Sequence, residues 1–249
     1  MARAWRGLLS AIAFLTIVPV PANPGGSDED GFAVMVAWLP LVGGAVGAAA
    51  GTVRVACDPL LGREASSALA IAALVLVTGA LHQDGLADCF DGLGVRGDRT
   101  RRLEVMRDSA VGAFGVLALI FWALIMLTAL DQLEAVRALR TLVAAGALAR
   151  LAVLVHARAT PPARLDGLGA SLRVTWTSLV WGAVTTVVLV ALVAGPARAA
   201  LALGVCVVVS GLGTRLARRA VGGRTGDTLG AAAAVTEAVV CLALSSAWR

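Results

Sequence analysis

Long apolar blocks alternate with short polar segments along the whole chain. Seven blocks come close to the about 20 residues that a helix needs to cross a bilayer: residues 32–53, 65–82, 110–130, 139–157, 177–194, 198–213 and 228–247. A shorter block, residues 8–20, is marginal and could span obliquely or lie in the membrane interface. The pattern predicts an all-α polytopic membrane bundle of seven or eight transmembrane or re-entrant helices, in a single domain over residues 1–249.

Composition agrees with a membrane protein and excludes nucleic acid as a partner. The chain is 59% hydrophobic and 15% charged, against roughly 45–50% and about 25% in an ordinary soluble domain. All 21 basic residues are arginine, but no basic cluster is interleaved with exposed aromatic residues, as nucleic-acid binding would require. The four cysteines lack metal-ligand spacing. The partner that the composition indicates is the lipid bilayer.

Three polar segments carry most of the residue types that do chemistry: 83–109, 158–176 and 214–227. If every block from residue 65 onward spans once, all three lie on the same side of the membrane. They contain five, three and four arginines respectively, and the intervening segments contain fewer. Because arginine is enriched on the cytoplasmic side, we expect these segments to face the cytoplasm and to be able to build one site.

The first polar segment begins with an acidic stripe, Asp84, Asp88 and Asp91. On a helix that continues from the preceding span, the spacing i, i+4, i+7 places these three carboxylates on one face. They repel each other there unless a divalent cation neutralises them, and hard oxygen ligands suit Mg²⁺. The alternative is a set of solvated aspartates in a juxtamembrane loop.

His82 precedes the stripe and has two interpretations. If the helix is continuous through Gly85, His82 points away from the aspartates and is an interfacial histidine. If the helix breaks there, His82 could act as a base or as a hydrogen-bond donor to phosphate.

The rest of the first segment contains candidate phosphate ligands. Guanidinium groups match phosphate oxygens bidentately, and the candidates here are Arg101, Arg102 and Arg107. These arginines could equally pair with Glu104 and Asp108 on neighbouring helical turns. Ser109 has no nearby base, so we interpret it as a hydrogen-bonding or capping residue at the start of the next helix.

The third segment contains a glycine-rich turn, GGRTGD, at residues 222–227. Backbone N–H groups in such turns and at helix N-termini bind phosphate oxygens. Arg224 and Thr225 lie within this turn, and Asp227 could add a metal ligand. Glu237 follows in an apolar helix, where a carboxylate is costly unless it faces a polar cavity.

Two long motifs resemble those of a known family. HQDGLADCFDGLG at residues 82–94 and MRDSAVGAFG at residues 106–115 are similar to H-x-D-G-x-x-D-x-x-D-G and M-x-D-S-x-x-G-x-[FY]-G of the cobalamin synthase family, the adenosylcobinamide-GDP ribazoletransferases. FLTIVPVP (14–21), WLPLVGGAVGA (38–48), ALARLAVLVHAR (147–158) and GGRTGDTLGA (222–231) also match, in order. The resemblance therefore covers nearly the whole chain.

The resemblance implies the last assembly step of cobalamin biosynthesis, dependent on Mg²⁺. Adenosylcobinamide-GDP is joined to α-ribazole or its 5′-phosphate, and GMP is released. It implies a multi-pass protein of the bacterial plasma membrane, and leaves open a homo-oligomer or association with other enzymes of the pathway.

We assign the candidate site residues in three groups. The metal ligands are Asp84, Asp88, Asp91 and Asp227. The candidates for catalysis and charge stabilisation are His82, Asp84, Asp88, Arg102 and Arg107, with Arg150 and Arg224. The substrate-binding candidates are Asp108, Ser109, Arg150, Gly223, Arg224, Thr225 and Glu237.

Two other functions are open to a chain of this kind. A CDP-alcohol phosphatidyltransferase also uses an Asp-Gly-led aspartate stripe, but its distal D-x-x-x-D is missing here. An ion-coupled transporter would carry acids near the midplane of several spans in two related halves. Apart from Glu237, the acids here lie at the edges of spans.

Overall fold

The computed structural model describes residues 2–20 and 29–248, and ten helices are found in that part of the chain. Their bounds are α1 Ala2–Leu15, α2 Glu29–Val77, α3 Leu81–Gly94, α4 Arg99–Val105, α5 Ala113–Asp131, α6 Ala135–Ala159, α7 Leu168–Ser171, α8 Trp176–Ala194, α9 Pro196–Val221 and α10 Gly226–Ala247. Six of the described helices are long and apolar enough to cross a membrane: α2, α5, α6, α8, α9 and α10. The prediction of an all-α, multi-pass membrane bundle is confirmed.

Helix α2 contains the predicted block 32–53 and, on the other side of a break, the predicted block 65–82 as far as Val77. Gly62 has φ 75° and ψ 177°, a conformation that glycine adopts readily and other residues rarely do. Arg54 Nη1 donates a 2.7 Å hydrogen bond to Ser66 Oγ, although 12 residues of straight helix would separate them by about 18 Å. The chain therefore folds back at Gly62, and α2 is a helical hairpin.

Helix α6 lies at the centre and packs against α2, α8, α9 and α10. Its buried surface is mostly alanine and leucine, and Gly146 lies directly against Gly43 of α2. Small residues on both helices let the two backbones approach closely, which is how helices gain packing contacts inside a bilayer. By contrast, α8 and α9 expose many of their large apolar side chains.

The sequence analysis placed the acidic stripe on a helix that continues from the preceding span, and this prediction is wrong. Helix α2 ends at Val77, and Ala80 adopts the left-handed conformation with φ 57° before α3 begins. The stripe therefore lies on a separate helix of 14 residues, which is not one of the six helices that are long and apolar enough to cross a membrane. Helix α3 is continuous through Gly85. Of the two interpretations of His82, this is the one in which the imidazole points away from the aspartates.

Candidate active site

The three polar segments meet at one end of the bundle, as predicted. Arg99 Nη2 donates to Ala163 O at 2.9 Å, and Arg164 Nη2 donates to Leu103 O at 2.7 Å. The second and third segments pair through their backbones, since Ala163 N donates to Arg224 O at 2.8 Å. Residues that are far apart in the sequence thus form one polar surface.

Gly85 brings α3 against the first turn of α10. A Cβ atom at Gly85 would lie 3.1 Å from Asp227 O and 3.1 Å from Gly230 Cα. Because neither backbone could move away easily, a larger residue here would push the two helices apart. The glycine therefore positions Asp84 and Asp88 of α3 beside Asp227 of α10.

These three residues, Asp84, Asp88 and Asp227, form what we call the acid cluster. Partial burial first, and then the negative charges of Asp84, Asp227 and Asp91 in that order, together raise the pKa of Asp88 to about 6. Arg164 opposes the shift but does not cancel it. The cluster thus holds more negative charge than its surroundings neutralise.

Asp227 contributes an oxygen that lacks a hydrogen-bond partner. Its Oδ2 atom is buried and accepts no hydrogen bond from the described residues. Arg164 Nη1 lies 3.7 Å from that oxygen, close enough for an ion pair but too far for a hydrogen bond. A buried, unpartnered carboxylate oxygen is costly, so its retention indicates a ligand.

A polar cavity of about 280 Å³ lies against the acid cluster. Its walls come from all three polar segments: Asp84, Gly85, Arg164, Asp166, Gly169, Arg224, Thr225 and Asp227 are among them. Asp88 is not part of the wall, but the charges of Asp84, Asp227 and Arg164, which are, act on its carboxylate. The walls of the cavity therefore combine three carboxylates, two of them from α3 and α10, with two arginines.

Arg164 and Asp166 are site residues that the sequence analysis missed. Arg164 pairs with Asp227, and Asp166 accepts hydrogen bonds of 2.6 and 2.7 Å from Arg107 Nη2. Both residues lie in an irregular segment without a motif around them. The one available signal was that this segment was predicted to share a membrane side with the acidic stripe.

The donor set of the acid cluster fits Mg²⁺. Mg²⁺ is usually held by one or two carboxylates together with substrate phosphates and water. Asp84 and Asp227 line the cavity, and the Asp227 oxygen without a hydrogen-bond partner is available as a metal ligand. Within residues 2–20 and 29–248, no group of three or more His, Cys, Asp or Glu side chains is already arranged to hold a metal ion. The cluster therefore suits a cation that takes its remaining ligands from a substrate.

Asp91 has a different set of contacts from the other aspartates of the stripe. Its two carboxylate oxygens accept hydrogen bonds from the backbone N–H groups of Gly112, at 2.7 Å, and Gly115, at 2.8 Å. Both glycines lie so close to this carboxylate that a Cβ atom would collide with it. Asp91 therefore holds the N-terminus of α5, and the structure does not bring it to the wall of the polar cavity.

The GGRTGD turn is held by its own contacts with the second segment. Arg224 uses all three guanidinium nitrogens on backbone carbonyls, with Nε 2.8 Å from Gly169 O and Nη2 3.1 Å from Leu172 O. Gly223 lies against Pro161 O, where a side chain would not fit. Thr225 caps α10 by accepting a hydrogen bond from Thr228 N at 3.1 Å. These contacts fix the position of Asp227, and they use four of the five N–H donors of Arg224.

Helix α4 and the segment after it lie at the edge of the site. Arg107 pairs with Asp166 and not with Glu104 or Asp108; Glu104 pairs instead with Arg101 at 3.3 Å. Asp108 Oδ1 accepts a hydrogen bond from Ala110 N at 3.0 Å, which forms a turn before α5. Arg102 is half-buried and Ser109 is exposed. The segment contributes a charged rim rather than the cavity wall.

His82, Arg150 and Glu237 lie away from the polar cavity. His82 is buried beside Arg150 in a small apolar pocket, where burial first and the Arg150 charge second lower the pKa of the imidazole. Arg150 Nη1 donates to Glu237 Oε1 at 3.0 Å, and both side chains are buried between α6 and α10. Glu237 is therefore neutralised by a cation of the protein and not exposed in a polar cavity.

Comparison with known proteins gives one family. The sequence model described as Cobalamin-5-phosphate synthase matches residues 7–245. An adenosylcobinamide-GDP ribazoletransferase of Azorhizobium caulinodans is 38% identical and covers 89% of this chain and 88% of its own length. Proteins of the same name from Sinorhizobium medicae and Klebsiella pneumoniae are 36% and 37% identical, covering 98% and 96% of this chain and 97% and 99% of their own lengths. No solved structure matches.

Proposed function

The chain belongs to the Cobalamin-5-phosphate synthase family, and from this membership we propose that it joins adenosylcobinamide-GDP to α-ribazole, or to its 5′-phosphate, with release of GMP. The product is adenosylcobalamin or its 5′-phosphate. The single observation that best supports the chemistry is the acid cluster, in which Asp84 and Asp88 of α3 meet Asp227 of α10 beside a polar cavity.

The reaction is a displacement at phosphorus. The 5′-hydroxyl oxygen of α-ribazole forms a bond to the corrinoid-side phosphorus of the diphosphate. The bond from that phosphorus to the bridging oxygen breaks, and GMP leaves with the bonding electrons. Such reactions are catalysed mainly by positioning and by stabilising charge on the phosphoryl oxygens.

We assign the cation to Asp84 and Asp227, because these two carboxylates line the cavity. When bound there, Mg²⁺ neutralises charge on the diphosphate and makes its phosphorus easier to attack. Arg164 lines the same wall and adds a positive charge fixed by its hydrogen bond to Leu103 O. Arg224 and Thr225 act indirectly, since they hold the turn that positions Asp227.

We assign the acceptance of the hydroxyl proton to Asp88. A general base is most effective when its pKa lies near the working pH, and the pKa of Asp88 is raised to about 6. His82 is the poorer choice, because it lies in a separate pocket beside Arg150. Asp91 is also the poorer choice, because its oxygens hold Gly112 and Gly115.

We place the protein in the bacterial plasma membrane, as one membrane domain with the polar cavity on the cytoplasmic side. The arginine bias of the three polar segments supports this orientation. A Ser109→Cys variant in a Cys57→Ser background tests it, because Ser109 is exposed at the cavity end. An impermeant thiol reagent should label this variant in inside-out vesicles and not in intact spheroplasts; the reverse pattern would overturn the orientation.

Self-association and association with other pathway enzymes are further proposals that size measurements in detergent would test.

The activity is tested with purified protein in liposomes. Adenosylcobinamide-GDP, α-ribazole and Mg²⁺ should give GMP and a cobalamin product, separated by chromatography. Removal of Mg²⁺ with a chelator should stop the reaction. Glu104→Gln is the matched control for substitutions in the acid cluster, since Glu104 is an exposed acid at the same end that pairs only with Arg101 among the described residues. Absence of product from folded protein with either acceptor would overturn the proposal.

A further inference from the structure

A second, larger cavity of about 520 Å³ lies between α3, α5, α9 and α10. We call it the apolar chamber; its walls include Cys89, Phe90, Phe114, Leu212, Thr228 and Ala231. Within residues 2–20 and 29–248, no charged side chain lines it, in contrast to the polar cavity. A neighbouring apolar cavity of about 370 Å³ shares Phe90 and Phe114 with it and continues along α10.

The apolar chamber adjoins the acid cluster on both helices that supply it. Cys89 follows Asp88 on α3, and Thr228 follows Asp227 on α10. The electrostatic influence of Asp88 and Asp227 reaches Cys89. The polar cavity uses Leu81, Asp84 and Gly85 of α3, so the two cavities occupy different faces of that helix. Asp88 lines neither cavity, but along α3 it comes after the residues that line the polar cavity and directly before Cys89, the first residue that lines the apolar chamber.

The two substrates of the proposed reaction differ in the same way. Adenosylcobinamide-GDP brings a charged diphosphate, which matches the carboxylate, cation and arginine chemistry of the polar cavity. α-Ribazole is a nucleoside whose base is an uncharged, methylated benzimidazole, a flat apolar ring. Aromatic and aliphatic walls are the usual surroundings for such a ring, and the aromatic side chains of Phe90 and Phe114 lie in the chamber.

We propose that the apolar chamber binds the base of the acceptor nucleoside and thereby holds its 5′-hydroxyl at Asp88. This assignment rests on the proposed function. Continuity with the acid cluster is what selects the nucleoside base over other apolar occupants, because the hydroxyl attached to the same molecule must reach the reacting phosphorus. A lipid acyl chain is the competing occupant, since Phe114 and Leu212 are partly exposed on the outer surface of the bundle.

The test fills the chamber from its outer side. Leu212 lines the chamber and is 64% exposed, so Leu212→Trp adds volume without repacking the core. Val207→Trp is the matched control, because Val207 is 70% exposed on the same helix and does not line the chamber. Leu212→Trp should raise the KM for α-ribazole by about tenfold, a typical effect of altered shape in an apolar pocket. The KM for adenosylcobinamide-GDP should not change, and Val207→Trp should behave like the wild type.

A binding measurement separates this proposal from the proposed function. Titration of α-ribazole into the protein in nanodiscs, without the second substrate, should show weaker binding to Leu212→Trp than to the wild type and to Val207→Trp. If all three proteins turn over and bind α-ribazole equally well, the proposed function stands and the assignment of the chamber is overturned. A wild-type Kd for α-ribazole that rises with the phospholipid content of detergent micelles would assign the chamber to an acyl chain. No turnover and no α-ribazole binding by folded wild-type protein would overturn both.

Discussion

The acid cluster and the Arg150–Glu237 pair show two opposite ways of placing carboxylates in an apolar bundle. Glu237 is buried in the middle of α10, and Arg150 of α6 neutralises it through a 3.0 Å hydrogen bond. Asp84, Asp88 and Asp227 lie at the polar end, where burial and mutual repulsion still raise the pKa of Asp88. Arg164 opposes the charge of both Asp88 and Asp227, and Arg107 opposes that of Asp227, whose Oδ2 has no hydrogen-bond partner among the described residues.

The difference teaches which carboxylates are part of the scaffold and which remain available for a ligand. A buried charge that is fully paired contributes to packing between its helices, and removal of its partner destabilises the fold. An uncompensated cluster is destabilising in the free protein and becomes favourable when a cation or substrate binds. Stability and activity should therefore respond in opposite ways to substitutions in the two regions.

The largest effect on stability is expected from Arg150→Met. This substitution leaves Glu237 buried without its cation, and breaking a buried pair in this way typically costs about 3–5 kcal/mol. Thermal unfolding in detergent should show a large fall in Tm. The double variant Arg150→Met, Glu237→Leu should recover much of the loss, because no unpaired charge remains. A wild-type Tm for Arg150→Met alone would show that the pair is not part of the scaffold.

The largest effect on activity is expected from Asp88→Asn. Loss of the proposed base, with the shape of the side chain retained, should lower kcat by about 10²–10⁴-fold. The Tm should stay equal or rise, because the substitution removes one of the mutually repelling charges. Turnover and unfolding of the same preparation check both outcomes, with Glu104→Gln as control. Near-normal turnover would exclude Asp88 as the base.

A smaller effect, on stability, is expected from Asp91→Ala. The substitution removes the carboxylate that accepts hydrogen bonds from Gly112 and Gly115 at the start of α5. Loss of such a helix cap costs about 0.5–2 kcal/mol. The concentration of Mg²⁺ that gives half-maximal activity should not change, in contrast to Asp84→Asn, which should raise it. A raised Mg²⁺ requirement in Asp91→Ala would instead place Asp91 among the metal ligands.

A graded effect is expected from pH. Because the pKa of Asp88 is raised to about 6, this carboxyl takes up a proton as the pH falls through that value and can no longer accept one from the substrate. Below it, kcat should fall by about tenfold per pH unit. A raised pKa of an acid also means that its ionisation opposes folding, so the contribution of Asp88 to stability falls as the pH rises from about 4 to about 6. The residual activity of Asp88→Asn should not show the fall in kcat below a pH of about 6.

The apolar blocks predicted most of the fold. Five of them correspond to α5, α6, α8, α9 and α10, while the remaining two lie in the single hairpin α2. The break before α3 could not be predicted, because Thr78-Gly79-Ala80 is unremarkable in sequence and Ala80 adopts a positive φ only in its tertiary setting. The spacing of the stripe therefore predicted correctly that its aspartates share a helix, but this helix is α3 and not a continuation of the preceding span.

Within the site, the sequence identified residue types better than it identified their partners. Asp84, Asp88 and Asp227 were all chosen for their motifs, and the structure brings them together. Arg224 was chosen for phosphate, a role that stays a prediction, and in the structure its buried guanidinium donates to backbone carbonyls that the sequence did not indicate. Arg164 was missed for the opposite reason, since nothing in its own segment marks it.

The sequence by itself determined the membrane bundle, the common side of the three polar segments and the acids available for chemistry, because these follow from hydropathy, arginine bias and local spacing. The tertiary structure alone decided which acids remain uncompensated, because compensation depends on groups from remote parts of the chain. Gly112 and Gly115 of the next helix satisfy Asp91, and Arg150 of α6 satisfies Glu237. Asp227 meets α3 only because Gly85 lets two helices touch.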